Sequence, residues 1–126
     1  MPTIPVNRGK ASNRAFCAVD ISTAADGLSG DINLTGLVLS CIQISSNWSA
    51  ASLGFRANVD GSTDYYPVKD SAGNFLTFSC SASQVLVFDP AQFKGLQKIQ
   101  LASMTTAGVA VAQAAVRPIK LGLSEG

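Results

Sequence analysis

The chain has 126 residues, 9 Lys and Arg against 8 Asp and Glu, no histidine, and 47% hydrophobic residues with only 13% charged. A domain of this size buries roughly two thirds of its unfolded surface, so its core needs no metal or disulfide staple, and so apolar a composition argues against disorder. Without imidazole, Ser-His-Asp and Cys-His catalysis and histidine-containing metal sites are excluded, and the near-neutral charge balance argues against a nucleic-acid reader.

Residues 1–14 carry Arg8, Lys10 and Arg14 and no acid, so this stretch holds +3 while the remainder holds 6 − 8 = −2. Pro2, Pro5 and Gly9 prevent a stable helix there, and Ile4 and Val6 are too few to build a core. Two readings stand side by side: a frayed terminus, or a basic extended arm that orders against an acidic partner by charge pairing and strand addition. Met1–Lys10 lacks the apolar run of a signal peptide, and nothing later approaches the ~20 apolar residues of a membrane span. The domain organisation expected is therefore an arm, 1–14, followed by one body, 15–126.

From Phe16 onward short apolar runs alternate with Gly, Asp, Asn and Ser. Strands are predicted near 16–22, 31–34, 37–45, 52–59, 65–69, 75–80, 84–88, 97–103 and 116–123. Alternation gives several of them one dry face. Leu53, Phe55, Ala57 and Val59 oppose Gly54, Arg56 and Asn58; Ile99 and Leu101 oppose Lys98 and Gln100; Ile119, Leu121 and Leu123 oppose Pro118, Lys120 and Gly122. Nine strands with such faces predict an all-β, two-sheet antiparallel sandwich, jelly-roll-like, with the N-terminal arm extending from it. Asp60-Gly61 before Tyr65-Tyr66 signals a hairpin, and Ser71–Asn74 a second turn. Asp89-Pro90 opens a helical turn that puts Phe93 inward and ends at Gly95. Thr105–Ala115 is rich in alanine, but Gly108, Val109 and Val111 favour a partly ordered loop or strand over a helix.

Few residues are equipped for chemistry. The one glutamate is Glu125, so any acid pair must come from seven aspartates. Asp60 and Asp64 share a loop that lacks the alternating acids and distal glutamate of a calcium loop, and they read as turn residues; Asp26 and Asp31 read the same way. No serine has a base to activate it. Cys17, Cys41 and Cys80 are odd in number and set in apolar stretches, as expected of buried small hydrophobes made in a reducing cytoplasm. The acceptor patterns at Asn33 and Asn47 read as chance in a chain without a secretion signal. Trp48, the single tryptophan, has three possible roles: plugging the end of the core, stacking on a sugar beside Tyr65 and Tyr66, or anchoring an oligomer contact.

The succession Trp48-Ser-Ala-Ala-x-Leu-x-Phe55, Asp60-Gly-x-x-x-Tyr-Tyr66, Asp70-x-x-Gly73, Asp89-Pro-Ala-x-Phe93-x-Gly95 and Gln113-Ala-Ala-x-Arg117 resembles small virion structural proteins of tailed bacteriophages, in particular capsid decoration or cement proteins. The resemblance spans about residues 28–123. It implies a noncatalytic β-sandwich, commonly a homotrimer, on the outer capsid surface, with the major capsid protein as partner and no cofactor, metal, nucleic acid or membrane. Similar patterns occur in tail and fibre modules, which leaves a receptor- or carbohydrate-binding module as the alternative. Arg8, Lys10 and Arg14 are the candidate capsid contacts, although the arm lies outside the resemblance; Trp48, Tyr65 and Tyr66 are the candidate oligomer or ligand contacts.

Overall fold

The computed structural model describes residues 14–125. Nine strands follow one another: β1 (Arg14–Ile21), β2 (Ile32–Asn33), β3 (Val38–Gln43), β4 (Ser52–Asn58), β5 (Tyr66–Pro67), β6 (Phe78–Ser79), β7 (Val85–Val87), β8 (Lys98–Met104) and β9 (Arg117–Ser124). A single 3-10 turn, Pro90–Phe93, lies between β7 and β8. All nine predicted strands are present, with β2, β5 and β6 cut to two residues each. Every pairing between strands is antiparallel. The first sheet has the order β1-β9-β3-β7; the second runs β2-β8-β4-β5, with β6 also paired to β4.

The period-two pattern explains how the two sheets meet. Along β9, Ile119, Leu121 and Leu123 are buried while Pro118 and Lys120 are exposed. On the facing sheet, Ile99 and Leu101 of β8 and Leu53, Phe55 and Ala57 of β4 are buried. Burying a side chain of this size contributes about 1.5–3 kcal/mol, so these inner faces supply the main drive for closing the sandwich. Phe55 centres an aromatic cluster, with ring centroids 5.0 Å from Phe93 and 5.9 Å from both Phe78 and Phe88. Phe93 reaches it from the 3-10 turn, whose start is capped by Asp89 Oδ1 accepting from the Ala91 N–H at 3.0 Å.

The alternation needs correction at three positions of one segment, Val59, Asn58 and Gly54. Val59 is 73% exposed, because β4 ends at Asn58 and the chain has left the pleat before the next inward position. Asn58 and Gly54, placed on the wet face by alternation, are both buried. The Asn58 amide is turned to loop carbonyls, and a Cβ on Gly54 would collide with the Met104 thioether that lies over it. Thr105–Ala115 is a loop rather than a helix, as expected: the Gly108 N–H donates to Thr105 O at 3.0 Å and Met104 bridges to Ala110, closing a turn directly on the end of β8.

Candidate functional site

The β4–β5 loop ends in Tyr65 and leads into Tyr66, the first residue of β5. Asn58 Nδ2 donates to Ser62 O at 2.9 Å and Asp64 O at 3.3 Å, and its Oδ1 accepts from the Gly61 N–H at 3.1 Å. Asp60 Oδ1 accepts from the Ser62 N–H at 3.0 Å; hydrogen bonds from the Ser62 backbone and then its side chain hold this carboxyl below the usual range. These polar groups are committed to folding the loop, as the turn reading of the sequence expects. Tyr66 is 67% exposed and stands beside a depression of about 340 Å³ lined by Asp60, Ser62, Asp64, Pro67 and Leu96. Tyr65 turns to the outer face of the second sheet, where Arg56 Nη2 donates to its carbonyl at 2.7 Å. Burial, and then the neighbouring Asp31 carboxylate, push the Tyr65 phenol up, although its shielded hydroxyl makes no hydrogen bond of ordinary geometry; Asp31 Oδ1 instead accepts from Gln100 Nε2 at 2.8 Å.

Trp48 is not beside these tyrosines as a free ring. It is 8% exposed within the core cluster, and its indole N–H donates to Ala51 O at 3.2 Å. Of the three roles considered, this is the plug, and it leaves no open ring face for a saccharide. Next to it runs a polar clamp. Gln113, 2% exposed, accepts at Oε1 from the Ser49 N–H (2.8 Å) and Arg117 Nε (3.0 Å), and donates from Nε2 to Ser103 Oγ at 2.8 Å. Arg117, 5% exposed, also donates from Nη2 to Ser49 Oγ at 2.7 Å. The Gln113-to-Arg117 spacing therefore ties the loop after β8 to the loop before β4. Its role is structural.

Cys17, Cys41 and Cys80 are free thiols, each half-buried rather than wholly enclosed. Burial pushes Cys17 and Cys80 up, which keeps both protonated near neutrality and poorly nucleophilic. Among the described residues no three His, Cys, Asp or Glu side chains come together as a metal site would require. No described helix is long and apolar enough to cross a membrane.

The feature the sequence reading missed is the outer face of the first sheet. Register places Phe16 opposite Gly122, Gly122 opposite Cys41 and Cys41 opposite Val87, so one apolar row crosses all four strands. Gly122 matters through its missing side chain: a Cβ there would stand 2.6 Å from Cys41 Sγ. The adjacent row is Ala18, Lys120, Gln43 and Val85. Phe16 is 67% and Val87 82% exposed. Of the arm residues, Arg14 is the first residue of β1, paired with Ser124, while Arg8 and Lys10 lie outside the described residues.

No family model matches this chain, and neither does any curated protein or solved structure.

Proposed function

We propose that the protein is a noncatalytic virion structural protein that decorates the outside of a bacteriophage capsid in many copies and stabilises it by bridging capsomers. The observation that supports this reading best is the bare outer face of the first sheet, where Phe16, Val85 and Val87 stand clear of any described cover. A soluble domain that exposes a contiguous apolar row across four strands has a surface suited to protein contact. The loop carboxylate Asp60 and the clamp residues Gln113 and Arg117 are engaged in internal hydrogen bonds, which fits a body that works by shape. The strand orders β1-β9-β3-β7 and β2-β8-β4-β5 support the jelly-roll form of the sandwich: first and last strands lie side by side, and successive strands cross between sheets before the β4-β5-β6 run. Arg8 and Lys10 are proposed as capsid contacts, with multiplicity on a symmetric lattice raising a modest single-site affinity.

The test is binding of purified protein to undecorated capsids of a phage that encodes it, followed by mechanical or thermal challenge. Wild type binds and raises the disruption temperature. Arg8→Glu with Lys10→Glu binds more weakly, with a shallower salt dependence. Capsids that gain neither bound protein nor stability contradict the proposal. A second reading, a tail or fibre module that binds a receptor or glycan, is favoured only by exposed Tyr66 at the rim of its depression. A glycan screen compared between wild type and Tyr66→Ala addresses it, and the buried Trp48 contributes no stacking surface to it.

A further inference from the structure

Among the described residues, three of the four sheet edges end in short strands: β2 and β5 have two residues each and β7 has three. The fourth edge is β1, with eight. On one side β1 follows β9 in an unbroken register. On the other side only Ile21 is partnered, through a bridge to Ser29, so among the described residues Arg14–Asp20 meets no strand there. Long edges in folded proteins are normally protected by proline, lysine, a bulge or a covering segment. The sequence RAFCAVDI contains no proline and no lysine, and its register shows no bulge.

This edge is also complementary to itself. Phe16, Ala18 and Asp20 are exposed and alternate with the more buried Cys17, Val19 and Ile21. If two copies pair antiparallel about a two-fold axis normal to the sheet, their outer faces stay on one side, and the register centred on Cys17 engages all of Arg14–Asp20. That register sets Cys17 opposite Cys17 of the second copy, Phe16 opposite Ala18, Ala15 opposite Val19 and Arg14 opposite Asp20. Each facing pair is apolar or of opposite charge, the kinds of cross-strand pair that stabilise sheets. Moving the centre by one residue in either direction leaves Arg14 or Asp20 without its counterpart.

We propose that β1 is a homotypic docking edge, at which two copies of this chain join antiparallel and fuse their four-stranded sheets into one continuous sheet. The occupant is a second copy because the edge matches itself in charge and in apolar pairing. The apolar row through Phe16 then continues across both molecules. The two-fold contact departs from the trimer implied by the resemblance. The decoration reading needs many copies and no particular number, so the two proposals fail separately.

The experiment uses the full chain. Light scattering at tens of micromolar gives twice the monomer mass, and Asp20→Arg halves it. Arg14→Asp does the same, and the double exchange Arg14→Asp/Asp20→Arg restores the dimer, with circular dichroism showing that every variant is folded. At a pH alkaline enough to ionise the raised Cys17 thiol, diamide, which takes up the two hydrogens released when two thiols join, yields a covalent dimer that Cys17→Ser abolishes and Cys41→Ser does not. A monomer across the concentration range, a trimer unaffected by Asp20→Arg, or a dimer that never links through Cys17 overturns the proposal.

Discussion

The outer faces of the two sheets are built from the same period-two pattern and end in opposite states. On the second sheet, Ala102 is 1% and Met104 7% exposed, in a depression rimmed by Leu28, Pro67, Phe75 and Ala110. Three further outward residues there are polar and engaged: Arg56 with the Tyr65 carbonyl, Gln100 with Asp31, Asn58 with its loop. On the first sheet the outward apolar residues have no such cover among the described residues, and Phe16, Val85 and Val87 are each more than half exposed. The loops that carry the polar residues have been spent on one side of the sandwich. Among the described residues the other side is left uncovered, and it adjoins the one long edge strand, β1.

Matched substitutions test this contrast, and the largest effect belongs to the covered face. Lysine placed at Ala102 must enter a closed apolar site, so Ala102→Lys is expected to lower stability by about 3 kcal/mol or more, whereas Ala18→Lys at an exposed outward position stays within about 0.5 kcal/mol, both read from urea unfolding. Equal losses at the two positions would dissolve the distinction. Next in size, Arg117→Met removes two donors from the clamp and leaves buried Gln113 and Ser49 oxygens under-partnered, which costs about 2 kcal/mol by the same measurement.

Val87→Asp separates stability from contact: thermal unfolding is expected to move by no more than about 2 °C while capsid binding falls, since the change touches only an exposed side chain. The smallest effect is that of Asp60. Its folded-state pKa lies below the ordinary value, so its contribution is fully present above the ordinary carboxylate range and disappears as pH falls through the lowered value. An NMR titration is expected to show Asp60 as a carboxyl still ionised where free aspartate is half protonated, and Ser62→Ala to move it back toward normal.

The architecture was legible because it rests on local rules. Alternation in β9, the inward positions of β4 and β8 and the Asp89 cap each depend on neighbours within a few residues, and all of them appear in the structure. The failures come where a distant segment decides. Val59 departs because the Asn58 amide folds the following loop back on itself, and Gly54 is buried because Met104 arrives from β8. The candidate surface was legible least of all. Phe16, Cys41, Val87 and Gly122 share a row only through the register of four strands scattered over the chain, and no window of sequence contains it. Trp48 stood open among three roles until the indole hydrogen bond to Ala51 and its burial placed it in the core.

The most direct test of the central claim is a count of this polypeptide in purified virions by quantitative mass spectrometry with isotope-labelled standard peptides. A protein that acts by multiplicity on the head surface is present in hundreds of copies per particle. A handful per particle would contradict the account and place the protein at the tail.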